Sequence, residues 1–314
     1  MLMTRRLGRL GRRLRGVRRK ARHVWSNPGN SGRVMRQWWG VLRFEMAALR
    51  GRTVVLPFAS SSRVRCRKAG DSSQRVPFAV LPDWPEMPIW KSVLQAGDLF
   101  VDVGANVGLY SLLASESGAR VVCVEPASDM ADALEENLSL NGVRTAEVHR
   151  VAVLDRTTTV TFGGPDPNRR RVAVTGSAGD QRRSVVDVVS ATTLDDLLAG
   201  RVPRGMKIDV EGVERLVLEG AAVTLALPAV EIVQLEWNST SQEALGEDRS
   251  PVARLLSDLG FRFFQWDPSS RVLQAFGTET PPYGRDVFGV RGTALELFAS
   301  WSSASKLSRG WLTD

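Results

Sequence analysis

The sequence has few cysteines and no long apolar segment. Its two cysteines, Cys66 and Cys123, are too few for a disulfide framework in a chain of 314 residues. Cys123 falls within an apolar run, where a buried and reduced thiol is expected, so the cysteines favour a reducing compartment. No stretch approaches 18 consecutive apolar residues, and no apolar segment follows the N-terminal charges. The sequence therefore predicts neither a membrane span nor a secretory signal. We expect a cytoplasmic location, with peripheral membrane contact as the alternative.

Acidic residues are missing from the start of the chain. Residues 1–44 contain 13 Lys and Arg and no Asp or Glu, and the first acid is Glu45. The other 29 basic residues stand against 34 acidic ones, which leaves residues 45–314 with a net charge of −5. A mildly acidic body gives no support to a nucleic-acid-binding face, so we expect no nucleic-acid partner.

The basic N-terminal extension, residues 1–44, carries a narrow apolar stripe. Between residues 5 and 24, apolar residues recur at spacings of three and four, with arginines in most of the gaps. A helix with this pattern can lie on an anionic membrane surface or on an acidic partner. Because its arginines repel one another, the isolated helix would be marginal, and we favour a disordered leader.

After the extension, the sequence predicts a small lead-in followed by an α/β domain. Residues 45–96 contain short apolar runs broken by Ser, Gly and Pro, which indicate a small β-rich region that ends in a helix near residue 89. Over residues 97–314, short apolar runs alternate with helical patterns, which is typical of a doubly wound, mostly parallel sheet with helices on both faces. Seven strands are predicted, over residues 99–103, 120–124, 146–151, 206–210, 230–235, 262–265 and 286–290.

The alternation of strands and helices is interrupted at about residues 155–190. Residues 157–162 and 184–189 have strand patterns, and a stretch rich in Gly, Pro and Arg lies between them. We expect a hairpin-like insertion, with residues 163–183 as a mobile loop.

A glycine-containing turn follows the first strand of the α/β domain. From position 98 to 111 the sequence reads DLFVDVGANVGLYS. Gly104 and Gly108 let the backbone come close to a ligand at the carboxyl end of the strand. Their spacing, with Asp102 before them, differs from the G-x-G-x-x-G of dinucleotide-binding proteins. A nicotinamide-dependent oxidoreductase is therefore the weaker hypothesis.

The next strand ends in an acid. Glu125 and Pro126 follow an apolar run, and Glu125 lies 21 residues after Gly104. In a fold of this kind, an acid at this point can accept hydrogen bonds from both hydroxyls of a ribose. Dinucleotide enzymes share this acid, but its combination with the turn at Gly104 favours a different cofactor.

The fourth and fifth predicted strands also end in acids. Lys207 and Asp209 lie in the fourth, Glu211 follows it, and Glu236 follows the fifth. Charged groups at the end of an apolar strand are costly unless they are used or paired. An ion pair between Lys207 and Asp209, and a solvated strand end for Glu236, are the structural alternatives. For Asp209 and Glu211 we favour a functional role, because both would border the same crevice.

Taken in order, these motifs resemble the FkbM-type methyltransferases. The resemblance covers roughly residues 97–290. It implies a class I Rossmann-like methyltransferase fold that binds S-adenosylmethionine and usually methylates a hydroxyl on a sugar, glycan or polyketide-type product. The residues that carry the resemblance are Phe100-Val-Asp-Val-Gly-Ala-Asn-Val-Gly, Glu125-Pro126, Asn137, Asn141-Gly142, Thr193-Leu-Asp-Asp, Lys207-Ile-Asp-Val-Glu-Gly-Val-Glu and Leu235-Glu236.

The resemblance also implies a cofactor site. The glycine turn would hold the methionine and sugar parts of S-adenosylmethionine, the acid after the second strand would hold the ribose hydroxyls, and three later residues would lie near the adenine. The lead-in and the loop at 163–183 vary in such proteins, so we expect them to select the substrate. The implied cofactor residues are Asp102, Gly104, Ala105, Asn106, Gly108, Glu125, Pro126, Ala152, Val153 and Asp155.

The resemblance places Asp209, Glu211 and Glu236 at the transferred methyl group. A hydroxyl acceptor benefits from a base that removes its proton. Asp209 is the first candidate for this base, Glu236 the second and His149 the third, although a structural role suits the histidine better. Alternatively, the three carboxylates hold a divalent cation that lowers the pKa of the acceptor oxygen. The sequence does not choose between a base and a metal.

Two other classes of function stay open. The basic extension suggests a nucleic-acid or other N-methyltransferase, as does Thr280-Pro-Pro-Tyr283, which is similar to the Asp/Asn-Pro-Pro-Tyr sequence of amino-group methylation. This tetrapeptide lies far along the chain from Asp209, and we interpret it as a loop. A non-catalytic cofactor-binding module would keep the glycine turn and lose the strand-end acids, whereas all three acids are present.

Overall fold

The computed structural model describes residues 22, 24–68, 70–163, 170–173, 186–276 and 280–302. Within these ranges, no helix combines the length and the apolar character needed to cross a membrane. The apolar stripe predicted over residues 5–24 and much of the loop predicted at 163–183 lie outside the described residues.

The lead-in contains a long helix near its start, which the sequence did not predict. The helix, α1, crosses the boundary predicted at residue 44, because Val41 and Phe44 are buried on its inner face. An antiparallel hairpin, a 3₁₀ helix and a second α-helix follow. The elements of this region are the 3₁₀ helix Pro28–Asn30, α1 (Val34–Leu49), β1 (Val54–Phe58), β2 (Ser62–Cys66), the 3₁₀ helix Ser72–Arg75 and α2 (Glu86–Val93).

The α/β domain follows directly, and strands and helices alternate through most of it. Its elements in chain order are β3 (Leu99–Val103), α3 (Leu109–Glu116), β4 (Arg120–Val124), α4 (Ser128–Leu140), β5 (Ala146–His149), β6 (Ala152–Val153), β7 (Thr158–Gly163), β8 (Arg171–Ala173), β9 (Val186–Thr192), α5 (Leu194–Leu198), β10 (Gly205–Ile208), α6 (Glu214–Glu219), α7 (Ala222–Ala226), β11 (Ile232–Leu235), α8 (Thr240–Leu245), α9 (Ser250–Asp258), β12 (Arg262–Asp267), β13 (Val272–Phe276), β14 (Val287–Val290) and α10 (Ala294–Trp301).

Eight of these strands form one sheet in the order β13-β12-β14-β11-β10-β3-β4-β5. The five strands from β11 to β5 run parallel, and β14, β12 and β13 are each antiparallel to their neighbours. From β3 the chain first adds strands on one side and later adds β10 on the other. In such a sheet, ligands bind in the crevice outside the carboxyl ends of the strands where this reversal occurs.

The predicted α/β class and mostly parallel sheet are confirmed, and the sheet has eight strands where seven were predicted. The additional strand is β13, which pairs with β12 as a hairpin at the edge of the sheet. An edge strand with only Leu273 fully buried lacks the continuous apolar run that marks the central strands. For this reason its sequence carries no clear strand signal.

Successive residues of the central strands pack into two separate cores. In β4, Val121 and Cys123 join one core, and Val122 and Val124 join the other. This division follows from the alternation of side chains along a strand. Helices α3, α4 and α10 cover the first face, and α5, α6, α7 and α9 cover the second. The sheet is thus buried on both sides, and its functional groups lie at strand ends.

The predicted insertion forms a second, smaller sheet. Strands β7 and β9 pair as an antiparallel ladder that runs from Thr158 opposite Ala191 to Gly163 opposite Val186. These two strands lie close to the two strand patterns of the sequence, and β6 and β8 are the outer strands of the sheet.

Candidate active site

A cleft of about 430 Å³ opens at the carboxyl ends of the parallel strands. Residues from β3, β4, β10 and β11, or directly after them, form its floor, and the lead-in and the insertion supply the rest of its walls. Nine residues predicted for the site line the cleft: Gly104, Asn106, Glu125, Pro126, Ala152, Val153, Asp209, Glu211 and Glu236.

Gly104 begins the turn after β3 and permits its close packing. It has a φ of +78°, and a Cβ at this position would lie 1.9 Å from the carbonyl oxygen of Asp209. The amides of Gly104 and Ala105 both donate to the carbonyl of Val124, at 2.9 and 3.0 Å. The turn is therefore fixed to the ends of two neighbouring strands, and no side chain can replace the glycine hydrogen.

Gly108 and Asp102 support this turn from inside the protein. Gly108 has a φ of +86° and precedes α3, and a Cβ there would lie 2.3 Å from the side chain of Leu134. Asp102 is buried and accepts a hydrogen bond from the hydroxyl of Ser111 at 2.6 Å. Its other oxygen, Oδ1, is buried without a hydrogen-bond partner. A buried acceptor of this kind is costly unless a ligand or water completes it.

Glu125 lies at the end of β4, beside the glycine turn. Its carboxylate accepts hydrogen bonds from the amide of Asn106 at 2.8 Å and from that of Ala127 at 2.9 Å. Burial raises the pKa of Glu125 to about 7, although both hydrogen bonds oppose this rise. Each carboxylate oxygen can accept more than one hydrogen bond, so the group retains acceptor capacity toward the cleft.

Ala152 and Val153 line the cleft on the side of the insertion, together with Phe162 and Arg170. Asp155 does not line it, and its carboxylate lies 3.3 Å from the guanidinium of Arg156. The sequence did not single out Phe162 or Arg170, because the pairing of β7 with β9 brings them back over the cleft from a separate sheet.

The acidic end of the cleft is formed by Asp209, Glu211 and Glu236. One carboxylate oxygen from each lies within 4.8 Å of the others. The prediction that the acids after two neighbouring strands meet at one crevice is therefore confirmed. Lys207 Nζ lies 2.8 Å from Asp209 Oδ2 and 4.8 Å from the centre of the Tyr110 ring. The ion pair and the shared crevice, which the sequence left as alternatives, thus occur together.

Glu236 is held in an unfavourable environment for a carboxylate. Burial raises its pKa to about 9, and the charges of Asp209 and Glu211 contribute to this rise. Its Oε2 is buried without a hydrogen-bond partner. At neutral pH the side chain is therefore protonated, unless a cation enters the cluster.

A buried ion pair fixes the two loops that carry these acids. Arg249 and Glu214 are both almost fully buried, and the Arg249 guanidinium contacts the Glu214 carboxylate. The amide of Gly212 donates to the same carboxylate at 3.1 Å, and Arg249 Nε donates to the carbonyl of Asn238 at 3.1 Å. Glu214 therefore ties the loop after β10 to the loop after β11. In the loop after β10, Glu211 has a φ of +58°, a left-handed backbone conformation that is unusual for a residue other than glycine.

The lead-in supplies the wall opposite the sheet. Asp71, Ser72, Gln74 and Arg75 line the cleft. The hydroxyl of Ser72 donates to Asn106 Oδ1 at 2.9 Å, and its amide donates to the same oxygen at 3.1 Å. This segment therefore packs directly on the glycine turn. A role for the lead-in in substrate choice was predicted from the sequence, but no motif pointed to these four residues.

A second group of acids lies behind the lead-in wall. Burial raises the pKa of Asp286 to about 7 and that of Glu86 to about 8, and neighbouring acids contribute to both rises. Gln234 Nε2 donates to Asp286 Oδ2 at 2.6 Å and to the Tyr110 hydroxyl at 3.2 Å. The environment between the lead-in and β14 is thus polar and acidic.

His149, the third candidate base, lies apart from the acidic end. It is the last residue of β5, at the far edge of the parallel strands, and its Nε2 is 3.6 Å from the carboxylate of Glu147. It does not line the cleft. The structural role that the sequence favoured for this histidine fits its position.

Solved structures of methyltransferases are similar to this chain at low sequence identity. A precorrin-6y C5,15-methyltransferase from Geobacter metallireducens is 12% identical, covers 72% of this chain and 90% of its own length, and has a TM-score of 0.38. A Streptococcus mutans protein in complex with SAH is 10% identical, with 65% and 93% covered and a TM-score of 0.38. Trm5b from Pyrococcus abyssi is 13% identical, with 76% and 54% covered and a TM-score of 0.40. No curated protein matches the sequence.

The profile of the methyltransferase FkbM domain matches residues 102–263, which are more than half of the chain. The matched region begins in β3 and ends in β12, and it contains the glycine turn, Glu125 and the three acids of the cleft. The chain therefore belongs to the FkbM methyltransferase family, and it is an S-adenosylmethionine-dependent methyltransferase.

Proposed function

We propose that the protein is an O-methyltransferase that acts on a hydroxyl of a sugar, glycan or polyketide-type product. The observation that carries this proposal is the meeting of three carboxylates, Asp209, Glu211 and Glu236, next to the glycine turn. A hydroxyl is a weak nucleophile, and its reaction is helped by a group that removes its proton or by a cation that lowers its pKa. The acidic end of the cleft provides residues for either route.

The cofactor-binding residues fit S-adenosylmethionine. When bound, this cofactor supplies a methyl group on a positively charged sulfur. Asp102 presents an unpartnered buried oxygen below the turn, and Glu125 presents a carboxylate beside the amide of Asn106. Glu125 lines the cleft and can accept hydrogen bonds from two ribose hydroxyls, whereas Asp102 does not line the cleft and supports the turn from below. The acids at the other end of the cleft favour the positive charge of the sulfonium.

Asp209 is the proposed base. The Lys207 ammonium, buried and 2.8 Å away, forms an ion pair with its carboxylate and fixes its position in the cleft. In this route the acceptor oxygen forms a bond to the methyl carbon, the bond from that carbon to sulfur breaks, and the hydroxyl proton passes to Asp209. Glu236 is protonated at neutral pH because its pKa is about 9. It can therefore orient the acceptor as a hydrogen-bond donor, and it becomes a base only in alkaline solution.

The same three side chains form a suitable ligand set for a divalent cation. Carboxylate oxygens are the preferred ligands of Mg²⁺, Mn²⁺ and Ca²⁺, and the clustered oxygens of Asp209, Glu211 and Glu236 lie within reach of one ion. A bound cation would convert Glu236 to its ionised form and would polarise the acceptor oxygen. Thermal stability distinguishes the two routes. If the cluster binds a cation, MgCl₂ or MnCl₂ should raise the Tm of the wild type but not that of Glu236→Gln. If it binds none, neither salt should separate the two proteins.

The acceptor is proposed to bind between the acidic end and the lead-in wall. Gln74 and Arg75 line the cleft there, and Asp286 lies close enough to Asp209 for the charge of Asp209 to raise its pKa. Carboxylates, an amide and a guanidinium together satisfy the donors and acceptors of a polyol better than those of an apolar molecule. This polar wall supports a sugar-like acceptor over an aliphatic one.

The proposal is tested by transfer of a labelled methyl group to a panel of acceptors. The panel contains sugars, nucleotide-linked sugars, polyketide alcohols, matched amines, and RNA and DNA. We expect label on a hydroxyl compound, with Asp209→Asn inactive and Asp132→Asn, an exposed carboxylate on α4, fully active. Label on amines or nucleic acid alone would replace the proposal by one of the other methyltransferase classes. Tight binding of the cofactor, with no methyl transfer to any compound of the panel and no hydrolysis of the cofactor, would favour a non-catalytic module.

A further inference from the structure

Helix α1 has apolar residues on two opposite faces. Its inner face buries Val41 and Phe44 against the lead-in. Its outer face carries a second apolar row, which is exposed to solvent. The members of this row, which we name the outer row, are Met35 (81% exposed), Trp39 (60%), Leu42 (48%), Met46 (37%) and Leu49 (87%).

The spacing of the outer row shows that it is continuous. Its members are separated by four, three, four and three residues, so they lie on one stripe of the helix. The 16 residues of α1 make this stripe roughly 24 Å long. Five of the eleven large apolar side chains exposed in the described part of the chain belong to it. Scattered exposed apolar residues are ordinary, whereas a continuous stripe marks an interaction surface.

Basic residues accompany the outer row. Arg36, Arg43 and Arg50 are seven residues apart, so they follow one border of the stripe. Residues 1–70 contain 19 Lys and Arg and a single acid, Glu45, whereas residues 71–314 contain 23 Lys and Arg and 33 acids. The positive charge of the protein is therefore concentrated in the part of the chain that includes α1.

We propose that the outer row of α1 docks the protein onto an anionic membrane surface. A helix that lies in a membrane interface combines an apolar face that contains Trp with arginines beside it. Burial of the apolar face and attraction of the arginines to anionic lipids together hold it there. The outer row supplies the apolar term, and Arg36, Arg50 and the basic N-terminal residues supply the attraction to anionic lipids. This surface goes beyond the proposed methyl transfer and does not depend on it.

Charge and area argue against two other occupants. A second copy of the chain, related by a two-fold axis, would place the arginines of both copies against each other, and one helix stripe is far smaller than the roughly 800 Å² per partner of a stable interface. Residues 1–21 carry nine Lys and Arg and no acid, so they repel the arginines of α1. An anionic lipid surface is complementary to both groups of charges.

Co-sedimentation of the full chain with lipid vesicles tests the proposal. The vesicles contain either phosphatidylcholine alone or equal parts of phosphatidylcholine and phosphatidylglycerol. We expect the wild type to bind the anionic vesicles roughly tenfold more tightly than the neutral ones. The double variant Trp39→Gln/Leu42→Gln should bind roughly tenfold more weakly than the wild type. Arg36→Gln/Arg50→Gln should weaken binding to anionic vesicles and leave the weak binding to neutral vesicles unchanged.

Val188→Gln/Val223→Gln is the matched control, because these two residues are as exposed as the outer row and lie on other elements. It should bind anionic vesicles like the wild type. All variants change exposed side chains, and equal melting curves verify that each is folded. Two results would overturn the proposal: no vesicle binding by the wild type, or equal vesicle binding by the wild type and Trp39→Gln/Leu42→Gln. If the wild type does not bind vesicles but forms a dimer, and Trp39→Gln/Leu42→Gln is a monomer, the outer row is instead an interface between two copies of the chain.

Discussion

The cofactor end of the cleft consists mainly of backbone groups, whereas its acidic end consists of side chains. At the first end, the turn at Gly104 and the loop at Glu125 are joined by amide hydrogen bonds over a short stretch of sequence. At the second end, Asp209 and Glu236 come from different strands and interact through charge. The first end is thus fixed by steric fit, and the second is adjustable through protonation and cations. The following predictions change residues at the two ends, or at a control position, and compare the effects on cofactor binding, turnover and stability.

The largest effect is expected from Gly104→Ala. The new Cβ would lie 1.9 Å from the Asp209 carbonyl oxygen, so the turn and the end of β10 would have to separate. We expect loss of measurable S-adenosylhomocysteine binding in titration calorimetry and a marked fall in Tm. Gly142→Ala is the control, since Gly142 also has a positive φ, +65°, but no atom lies within 4 Å of the place its Cβ would take; it should cost only about 1 kcal/mol. Equal behaviour of the two variants would show that packing at Gly104 is unimportant.

Asp209→Asn should affect chemistry and spare the cofactor. The amide keeps the shape of the side chain but can neither accept a proton nor neutralise Lys207. We expect turnover to fall by roughly 10²–10⁴-fold, with the Kd for S-adenosylhomocysteine changed by less than about threefold. Turnover is measured at saturating cofactor and acceptor. Undiminished turnover would remove both the base and the metal role from Asp209.

Glu236 should make the protein less stable as pH rises. Its pKa is about 9 in the folded protein, against 4.5 as the ordinary value. Below pH 4.5 the side chain is protonated in both states. Between 4.5 and 9 the unfolded chain gives up the proton and the folded chain retains it, so folding loses stability over this interval. Glu236→Gln removes this loss, and at about pH 8 its Tm should exceed that of the wild type by roughly 2–4 °C.

Glu147→Gln provides the opposite case for the same melting experiment. The hydrogen bonds from Arg201 lower the pKa of Glu147, which lies on the exposed edge of β5. This carboxylate contributes stability at neutral pH that is lost in acid, so the variant should melt slightly below the wild type in the same buffer. If both variants shifted in the same direction, burial at the acidic end would not be the cause of the Glu236 effect.

The smallest effect is expected from Arg170→Gln. Arg170 lines the cofactor end and forms two hydrogen bonds to Asp129 at the start of α4, at 2.5 and 3.0 Å. A half-exposed ion pair contributes about 0.2–1 kcal/mol. We therefore expect the Kd for S-adenosylhomocysteine to rise by no more than about fivefold, with turnover at saturation unchanged. A large fall in turnover would instead connect the insertion to the acceptor.

Local motifs made the floor of the cleft predictable from the sequence. The turn after β3, the acid after β4 and the acids after β10 and β11 each follow an apolar strand. Parallel strands bring their carboxyl ends to one edge, so the meeting of Asp209 with Glu236 could be anticipated. The limits of β3 and β4 agree with the predicted ranges, because both are fully apolar apart from single residues.

The walls of the cleft were not predictable, because their contacts join distant parts of the chain. Asn137 donates to the carbonyl of Val107 and accepts from the amide of Arg65, which is 72 residues away. This asparagine thereby joins the lead-in hairpin to α4 and to the glycine turn. Helix α1 escaped prediction for a different reason: with apolar residues on both faces, its sequence shows no single polar side.

The division of the cleft is tested most directly by titrating S-adenosylhomocysteine into the wild type, Glu125→Gln and Asp209→Asn in parallel. We expect micromolar binding by the wild type and binding roughly tenfold or more weaker in Glu125→Gln, where a charged acceptor of the ribose hydroxyls is lost. Binding in Asp209→Asn should be nearly unchanged, and NAD should not bind any of the three proteins. Equal losses in the two variants, or binding of NAD in place of S-adenosylhomocysteine, would contradict this division of the cleft.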